Sequence, residues 1–211
     1  MPRVCTRIMT TMRSRRAQQA IDIINSRGII RPKDLAEVGI RRDYLAKFCR
    51  QGIVVRVGRG LYAKADIEAT EHYSLAEASK RIPAGIVCLL SALQFHELTT
   101  QIPYQVWMAV DRKSWLPEHD LPYVNIVRFS GNALKYGIEE YIIEGVNVRV
   151  FNPSKTVADC FKYRNKIGMD VALEALRDCW RQRKATMDQL WDAAEVCRVA
   201  NVMRPYMESL V

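Results

Sequence analysis

The spacing of apolar residues changes twice along this chain of 211 residues, and this change limits its fold more than any other feature. Before residue 99, most apolar residues recur every three or four positions, as on one face of a helix. Between residues 104 and 151 they alternate or form β-branched runs, and from 153 the helical spacing returns. One stretch of strands with helices on either side predicts an α+β fold.

Three helices are expected in the first fifty residues. The first helix runs from Ser14 and ends before Gly28, which suits a left-handed C-cap. Pro32 favours the start of a short second helix, because its missing N–H needs no partner there. The third helix is expected over Arg41–Gln51, after a turn at Gly39. The apolar stripe of the first helix consists of Ala17, Ala20, Ile21 and Ile24.

A β-hairpin is expected directly after the third helix. Residues 53–57 are mostly β-branched, residues 61–63 form a second short strand, and Gly58-Arg59-Gly60 lies between them. Three helices followed by such a hairpin predict a winged helix-turn-helix over residues 1–68. Arg59 then lies at the tip of the wing, facing phosphate or a minor groove.

The positive charge of the chain is concentrated in this first part. Residues 1–64 contain 15 Lys and Arg against 4 Asp and Glu, an excess of 11 positive charges. Residues 65–152 contain 7 against 11, and residues 153–211 contain 10 against 8. A basic surface gains affinity for nucleic acid by releasing counterions from the phosphate backbone. The distribution therefore predicts that residues 1–68 bind double-stranded DNA.

The third helix is the candidate recognition helix. Leu45, Phe48 and Cys49 share one face of it, and basic residues occupy the opposite face. Arg41 and Arg42 precede or begin the helix, at the end that usually reaches base edges. The predicted DNA contacts are Arg15, Arg16, Arg41, Arg42, Asp43, Lys47, Arg50, Arg56 and Arg59. Asp43 and Lys47 alternatively form only an i,i+4 ion pair.

Residues 69–211 are expected to form a larger domain. A nearly apolar segment at 86–98 predicts a buried helix. The expected strands are 104–110, 124–129, 139–145 and 147–151, in a mostly antiparallel sheet. The expected C-terminal helices are Ser154–Asn165, Asp170–Arg183, Met187–Arg198 and Met203–Ser209.

A second basic surface is a further hypothesis for this larger domain. Its candidate residues are Lys162, Arg164, Lys166, Arg181, Arg183 and Lys184. The alternative is a face that only keeps the protein in solution, and the sequence leaves both interpretations open.

No catalytic, metal or cofactor site is predicted. Ser91 lies outside any G-x-S-x-G motif, and His96 is interpreted as a hydrogen-bonded core residue. The six cysteines form no CxxC pair, which argues against zinc and favours reduced thiols in the cytoplasm. Neither a membrane span nor a secretory signal is expected.

Three groups of residues resemble the AbiEi-type antitoxins of abortive-infection toxin–antitoxin systems. The groups are Gly52-Ile53 with Arg56-x-Gly58-Arg59-Gly60-Leu61-Tyr62, then Cys88-Leu-Leu-Ser91-Ala92-Leu93-x-x-His96-x-Leu98, and Pro153-x-x-Thr156-Val-Ala-Asp159-Cys160. The resemblance implies a winged helix that binds inverted repeats, two protomers to one site, and represses its own operon. It also implies a C-terminal domain that counters a nucleotidyltransferase-like toxin without a stable complex. Arg41 stands where the family has a small hydroxyl residue at the start of the recognition helix.

Two other functions also fit the sequence. One is a plain transcriptional regulator whose C-terminal domain dimerises or senses a ligand. The other is a DNA-processing enzyme that uses the winged helix for targeting. Its candidate carboxylates are Glu139, Glu140, Glu144 and Asp159.

Overall fold

The computed structural model describes residues 3–58, 60–65, 71–115 and 123–210, with side chains from Arg15 onward. The chain divides into two compact units. The first contains the residues up to Ala76 together with Ile142–Val146, and the second contains Glu77–Tyr141 and the chain from Asn147 onward.

The first unit has the elements of a winged helix-turn-helix, as predicted. They are α1 (Arg3–Arg27), α2 (Pro32–Ala36), α3 (Asp43–Arg50), β1 (Val54–Gly58) and β2 (Leu61–Lys64). No Gly or Pro interrupts residues 3–27, so α1 begins earlier than the apolar stripe indicated. It ends at Arg27, and Gly28 follows with a φ of +60°, which suits the residue after a helix.

The apolar faces of the three helices meet in one core. The buried side chains of this core are Ala20, Ile24, Ile30, Leu35, Ile40, Leu45, Phe48 and Val54. Ala20, Ile24, Leu45 and Phe48 are positions expected from the helical spacing of α1 and α3, whereas the expected Ala17, Ile21 and Cys49 are only partly buried. The short helix α2 buries only Asp34 and Leu35, and Ala36 is exposed.

The two strands of the wing pair antiparallel, with Val55 opposite Ala63 and a register shift between Arg56 and Gly58. Ile30 joins the outer side of β2 through two backbone hydrogen bonds with Tyr62, of 2.8 and 2.9 Å. The segment after α1 is therefore tied to the wing through the backbone.

The remaining strands form a five-stranded sheet in the order β5-β4-β3-β7-β6. Their bounds are β3 (Ile86–Val87), β4 (Val106–Asp111), β5 (Val124–Phe129), β6 (Ile138–Ile143) and β7 (Val146–Phe151). Three helices precede or separate these strands in the chain. They are α4 (Tyr73–Arg81), α5 (Leu89–Phe95) and α6 (Asn132–Lys135). The α+β class is confirmed.

The pairing within this sheet differs from the expected mostly antiparallel arrangement. β4 pairs with β5 and β3 pairs with β7 in parallel, whereas β3 and β4 are antiparallel. Residues 106–110 of β4 are all buried, and a continuous apolar run is typical of parallel strands covered on both faces. Twelve residues separate β4 from β5, which is long enough for the crossover that parallel strands need.

The segment 86–98 was expected to be one buried helix, and its first two residues are instead a strand. Ile86 pairs with Ala109 and Val87 with Val150, so both β-branched residues lie in the middle of the sheet. Cys88 is extended, and α5 begins at Leu89. A short apolar run has no period that separates a buried strand from a buried helix.

The C-terminal part is helical, as predicted. Its helices are α7 (Pro153–Lys162), α8 (Arg164–Ile167), α9 (Met169–Arg181), α10 (Met187–Cys197) and α11 (Ala200–Glu208). The buried side of α9 contains the small residues Ala172, Ala175 and Cys179, whereas Trp180 is only half-buried. Small residues let α9 approach α7 closely, and Val171 and Leu176 fill the rest of its buried side.

A buried ion pair lies at the centre of the second unit. Lys155 and Asp159 occupy adjacent turns of α7, form an ion pair, and are both 0% exposed. The Lys155 Nζ lies 4.1 Å from the ring centroid of Phe151 and 4.9 Å from that of Phe129. Cys197 Sγ lies 3.3 Å from Asp159 Oδ1 and donates to it. Burial raises the pKa of Asp159, and the neighbouring Lys155 ammonium opposes this rise.

We expect Asp159→Ala to lower the free energy of unfolding by about 3–5 kcal/mol, because it leaves the Lys155 charge buried without its partner. The matched control is Asp178→Ala, which breaks the more exposed pair with Arg181 and should cost about 0–1 kcal/mol. Urea unfolding followed by circular dichroism measures both. Equal losses in the two variants would contradict a structural role for the buried pair.

Candidate nucleic-acid interface

Helix α3 separates its apolar residues from its charged ones. Leu45 and Phe48 are buried, while Arg41, Arg42, Lys47 and Arg50 are exposed at or beside the helix. Arg42 occupies the N-cap position and makes no side-chain cap hydrogen bond. The helix therefore presents four cations on its outer side, as its sequence pattern predicts.

Asp43 forms its ion pair with Arg41, with the Arg41 Nη2 and Asp43 Oδ2 atoms 2.6 Å apart. The i,i+4 pair between Asp43 and Lys47 was the alternative interpretation, and it is wrong because Arg41 takes the carboxylate. Lys47 has no carboxylate within ion-pair distance among the side chains that the structure describes. Asp43 thus holds the guanidinium of Arg41 at the start of α3.

A hollow lies beside the turn between α2 and α3. Its lining residues are Pro32, Lys33, Ala36, Gly39, Ile40, Arg41 and Arg42. Gly39 has a φ of +72°, which lets the chain reverse between the two helices. The positions of Arg41 and Arg42 therefore follow from this turn as well as from α3.

The other predicted DNA contacts lie on separate elements. Arg15 and Arg16 are exposed on α1, and Arg56 is exposed on β1, which contacts α3. The Arg56 Nε donates to the carbonyl of Gly58 over 3.2 Å, so its side chain follows the hairpin toward the wing tip. Arg59 lies outside the described residues, and its predicted place at the tip stays a prediction.

The six residues of the proposed second basic surface form two groups rather than one. Lys162 ends α7, and Arg164 and Lys166 belong to α8, so all three precede α9. The Lys166 Nζ lies 4.9 Å from the Trp107 ring centroid. Arg181, Arg183 and Lys184 lie at the other end of α9. The thirteen residues of α9 place these ends about 18 Å apart at 1.5 Å per residue.

The interior polar residues that could suggest hydrolytic chemistry have structural partners. Ser91 Oγ accepts the backbone N–H of Trp107 at 2.9 Å, and His96 Nε2 donates to the carbonyl of Phe151 at 2.7 Å. Burial lowers the pKa of His96, which keeps the ring neutral. These side chains stabilise the strand-to-helix connections of the second unit.

Three of the four candidate carboxylates of the enzyme hypothesis, Asp159, Glu139 and Glu140, have partners within the protein. Asp159 is buried against Lys155. Glu139 accepts a hydrogen bond from the Tyr141 hydroxyl at 2.6 Å, and Glu140 accepts one from the Asn147 amide at 2.9 Å. Within the described ranges, no three His, Cys, Asp or Glu side chains form a group that could hold a metal ion.

The sequence interpretation did not single out Lys155. The sequence does contain a pattern that indicates a buried ion pair, because Lys155 and Asp159 are four residues apart in a run whose other members are mostly apolar. Two opposite charges one helical turn apart are common on exposed faces, and only the surrounding core distinguishes this pair.

No helix among the described residues is long and apolar enough to cross a membrane.

Comparison with known proteins supports the resemblance found in the sequence. Residues 18–63 match the model of a family described as transcriptional regulator, AbiEi antitoxin. This segment runs from α1 to β2 and contains α3 and the wing. The family resemblance is therefore confirmed over the winged helix, and its members are transcriptional regulators and antitoxins rather than a known enzyme family.

The fold is also similar to that of the RV2827C protein from Mycobacterium tuberculosis, with a TM-score of 0.61. The similarity covers 91% of this chain and 77% of that chain at 14% sequence identity. At this identity the likeness is one of fold alone. None of the curated proteins that were compared matches the sequence.

The buried His96 predicts a loss of stability at acid pH. Its pKa is lowered from 6.5 in the folded chain, so the unfolded chain binds the proton more tightly. The stability that this residue contributes is present above about pH 6.5 and is lost as the pH falls below it. We expect the urea midpoint to fall between about pH 7.5 and about pH 5.5, and less so in His96→Gln. The same decline in both proteins would show that His96 does not cause it.

Proposed function

We propose that this chain, whose residues 18–63 match the AbiEi family of antitoxin transcriptional regulators, is a DNA-binding antitoxin that represses its own operon. The observation that carries the proposal is the basic outer side of α3. Arg42 and Lys47 are exposed on a helix whose other side is anchored in the core by Leu45 and Phe48. A rigid helix with exposed cations is the part of this fold that enters a major groove.

The start of α3 is the proposed region of base reading. Arg41 and Arg42 lie at this end, and an arginine fork can bond both acceptors of a guanine edge. Asp43 orients the Arg41 guanidinium before DNA binds, which lowers the conformational entropy lost on binding. The N-terminal dipole of α3 repels both arginines, and DNA phosphates nearby would offset this repulsion.

Phosphate contacts supply most of the proposed affinity. Arg50 at the end of α3, Arg56 on β1, and Arg15 and Arg16 on α1 are exposed on separate elements of the first unit. Such contacts fix the protein on the duplex but carry no sequence information. Arg59, at the predicted wing tip, belongs to this group. An operator of inverted repeats would take two protomers, because its symmetry mirrors that of the protein pair.

Antitoxin activity is proposed for residues 69–211, and repression for residues 1–68. The support is the family description together with the concentration of basic residues before residue 65. Residues 69–211 include the five-stranded sheet and helices α4 to α11, with a core of their own. In this proposal they counter a nucleotidyltransferase-like toxin in the cytoplasm without forming a stable complex with it.

Operator binding should separate base reading from phosphate anchoring. Affinity for the promoter DNA of the chain should fall steeply between about 50 and about 200 mM salt. Arg42→Ala and Lys47→Ala should relax sequence preference by about 1–3 kcal/mol at particular base pairs. Arg59→Ala should weaken binding to all sequences. It should also lower the magnitude of the slope of log binding constant against log salt concentration by about one. Electrophoretic shifts with operator and scrambled duplexes measure all three. A change of specificity in Arg59→Ala alone would place the wing, not α3, at the bases.

Repression and protection should be separable in the full chain. The double variant Arg42→Ala/Lys47→Ala should lose repression of a promoter reporter, yet still rescue growth when the adjacent toxin is expressed. Lys135→Ala, an exposed cation on α6, is the matched control and should keep both activities. Loss of rescue in the double variant would contradict the division near residue 68. Failure of the unaltered chain to rescue would instead favour a regulator whose second unit dimerises or senses a ligand.

The absence of a stable complex is tested with the same two proteins. Purified toxin and unaltered chain, mixed at micromolar concentrations, should elute separately from a size-exclusion column. Elution together would indicate direct inhibition by binding.

A further inference from the structure

The turn between α9 and α10 contains a second hollow, outside the α3 interface. Its lining residues are Trp180, Arg181, Arg183, Ala185, Thr186 and Met187. We propose that this hollow binds a nucleotide unit, with the base against Trp180 and the phosphate at Arg183. The proposal goes beyond operator recognition, because the hollow lies in the second unit and uses none of the α3 residues.

The turn that forms the hollow is held in place from several sides. The backbone N–H of Arg183 donates to Trp180 O, and that of Lys184 donates to Cys179 O, both at 3.0 Å. Gln182 Nε2 donates to the carbonyl of Glu97 at 3.0 Å. The Lys184 ammonium donates to the carbonyl of His96 and lies 3.2 Å from the Glu97 carboxylate. A turn fixed in this way offers a ligand a preorganised surface.

Arg183 occupies a position that favours glycine. Its φ is +55°, and its hydrogen bonds are those of the left-handed residue that ends a helix. A side chain at such a φ is strained, whereas glycine is not. Strain of this kind is often retained where the side chain has a role. Arg198 has a similar φ of +60°, so the φ of Arg183 only fixes its place in the turn, and its position in the lining of the hollow is what points to a role for its guanidinium.

Arg183 is also the lining cation with a charge available to a ligand. Arg181 is paired with Asp178 at 2.8 Å, and Lys184, next to the hollow, is paired with Glu97. Arg183 is exposed, and no carboxylate of the described residues lies within ion-pair distance of it. Asp188 lies in the first turn of α10, so a phosphate is expected on the Arg183 side.

The apolar side of the hollow favours a base over a bare anion. Trp180 and Met187 are both half-buried, which fixes them while part of each surface remains accessible. An indole beside an arginine matches the two parts of a nucleotide, because bases stack on aromatic rings and phosphates bind guanidinium. An acidic peptide would use the arginine but gain little from the indole. A base with its phosphate could come from either of two ligands, a free nucleotide or a single-stranded nucleic acid.

The test uses the full chain with Arg41→Ala, Arg42→Ala and Lys47→Ala, which weakens the proposed DNA interface. The probe is a fluorescein-labelled single-stranded RNA of about ten nucleotides, followed by fluorescence anisotropy. Arg183→Gly removes the guanidinium and also relieves the backbone strain, so the fold should be kept. The matched control is Arg198→Gly, because Arg198 ends α10 with a φ of +60°.

We expect Arg183→Gly to weaken binding about fivefold or more, because one phosphate contact is lost. Arg198→Gly should stay within about twofold of the parent, since the lost charge lies at the other end of α10. Trp180→Leu should weaken binding but leave its dependence on salt concentration unchanged, because the substitution removes a stacking contact and does not change the charge. Displacement of the RNA by ATP would identify a free nucleotide as the source, and failure of ATP to displace it would identify a polynucleotide.

Four outcomes would overturn the proposal. One is equal binding by Arg183→Gly and Arg198→Gly, and another is absence of both RNA and ATP binding in the parent. Displacement by inorganic phosphate as effectively as by ATP, at equal ionic strength, would reduce the hollow to an anion site. Equally tight, Arg183-dependent binding of a glutamate decapeptide would make it a surface for an acidic protein. Thermal unfolding, followed by circular dichroism, verifies that each variant is folded.

Discussion

The buried ion pair of Lys155 and Asp159 is the constraint on which the second unit depends. A charge without a partner in this core would cost several kcal/mol, so both side chains must stay within contact as the chain packs. The Phe129 and Phe151 rings face the ammonium, and Cys197 donates to the carboxylate. These contacts bring two strands and helices α7 and α10 to one point. The pair therefore specifies how the elements meet, whatever its net contribution to stability.

The two segments outside the winged helix that resemble the AbiEi family meet near this pair. The carbonyl of Phe151 accepts hydrogen bonds from His96 Nε2 at 2.7 Å and from Thr156 Oγ1 at 3.1 Å. His96 follows α5 and Thr156 belongs to α7, so one backbone oxygen links both helices to the end of β7. The polar residues of these segments are thus explained by hydrogen bonding within the core rather than by chemistry on a substrate.

Charged side chains on the surface of the protein do not need a partner of opposite charge as Lys155 does. Among the cations described, Lys155 needs its carboxylate because it is buried, whereas Lys47 and Arg183 are exposed and have no carboxylate partner. An exposed ion pair adds little to stability, so leaving these cations unpaired costs little. It also leaves Lys47 available to a base edge and Arg183 available to a phosphate. Both proposed binding surfaces, α3 and the α9–α10 hollow, follow from this difference in solvation.

Local sequence determined the elements whose signals are local. The helical spacing of α1 and α3, the glycines of the wing and the C-terminal helices were all predictable, and so was the basic side of α3, because each depends on neighbouring residues. Tertiary structure decided the parallel pairing of β4 with β5 and the strand at Ile86 and Val87. It also decided the burial of Lys155. These features depend on residues far apart in the chain, whose proximity comes from packing and leaves no periodic trace in the sequence.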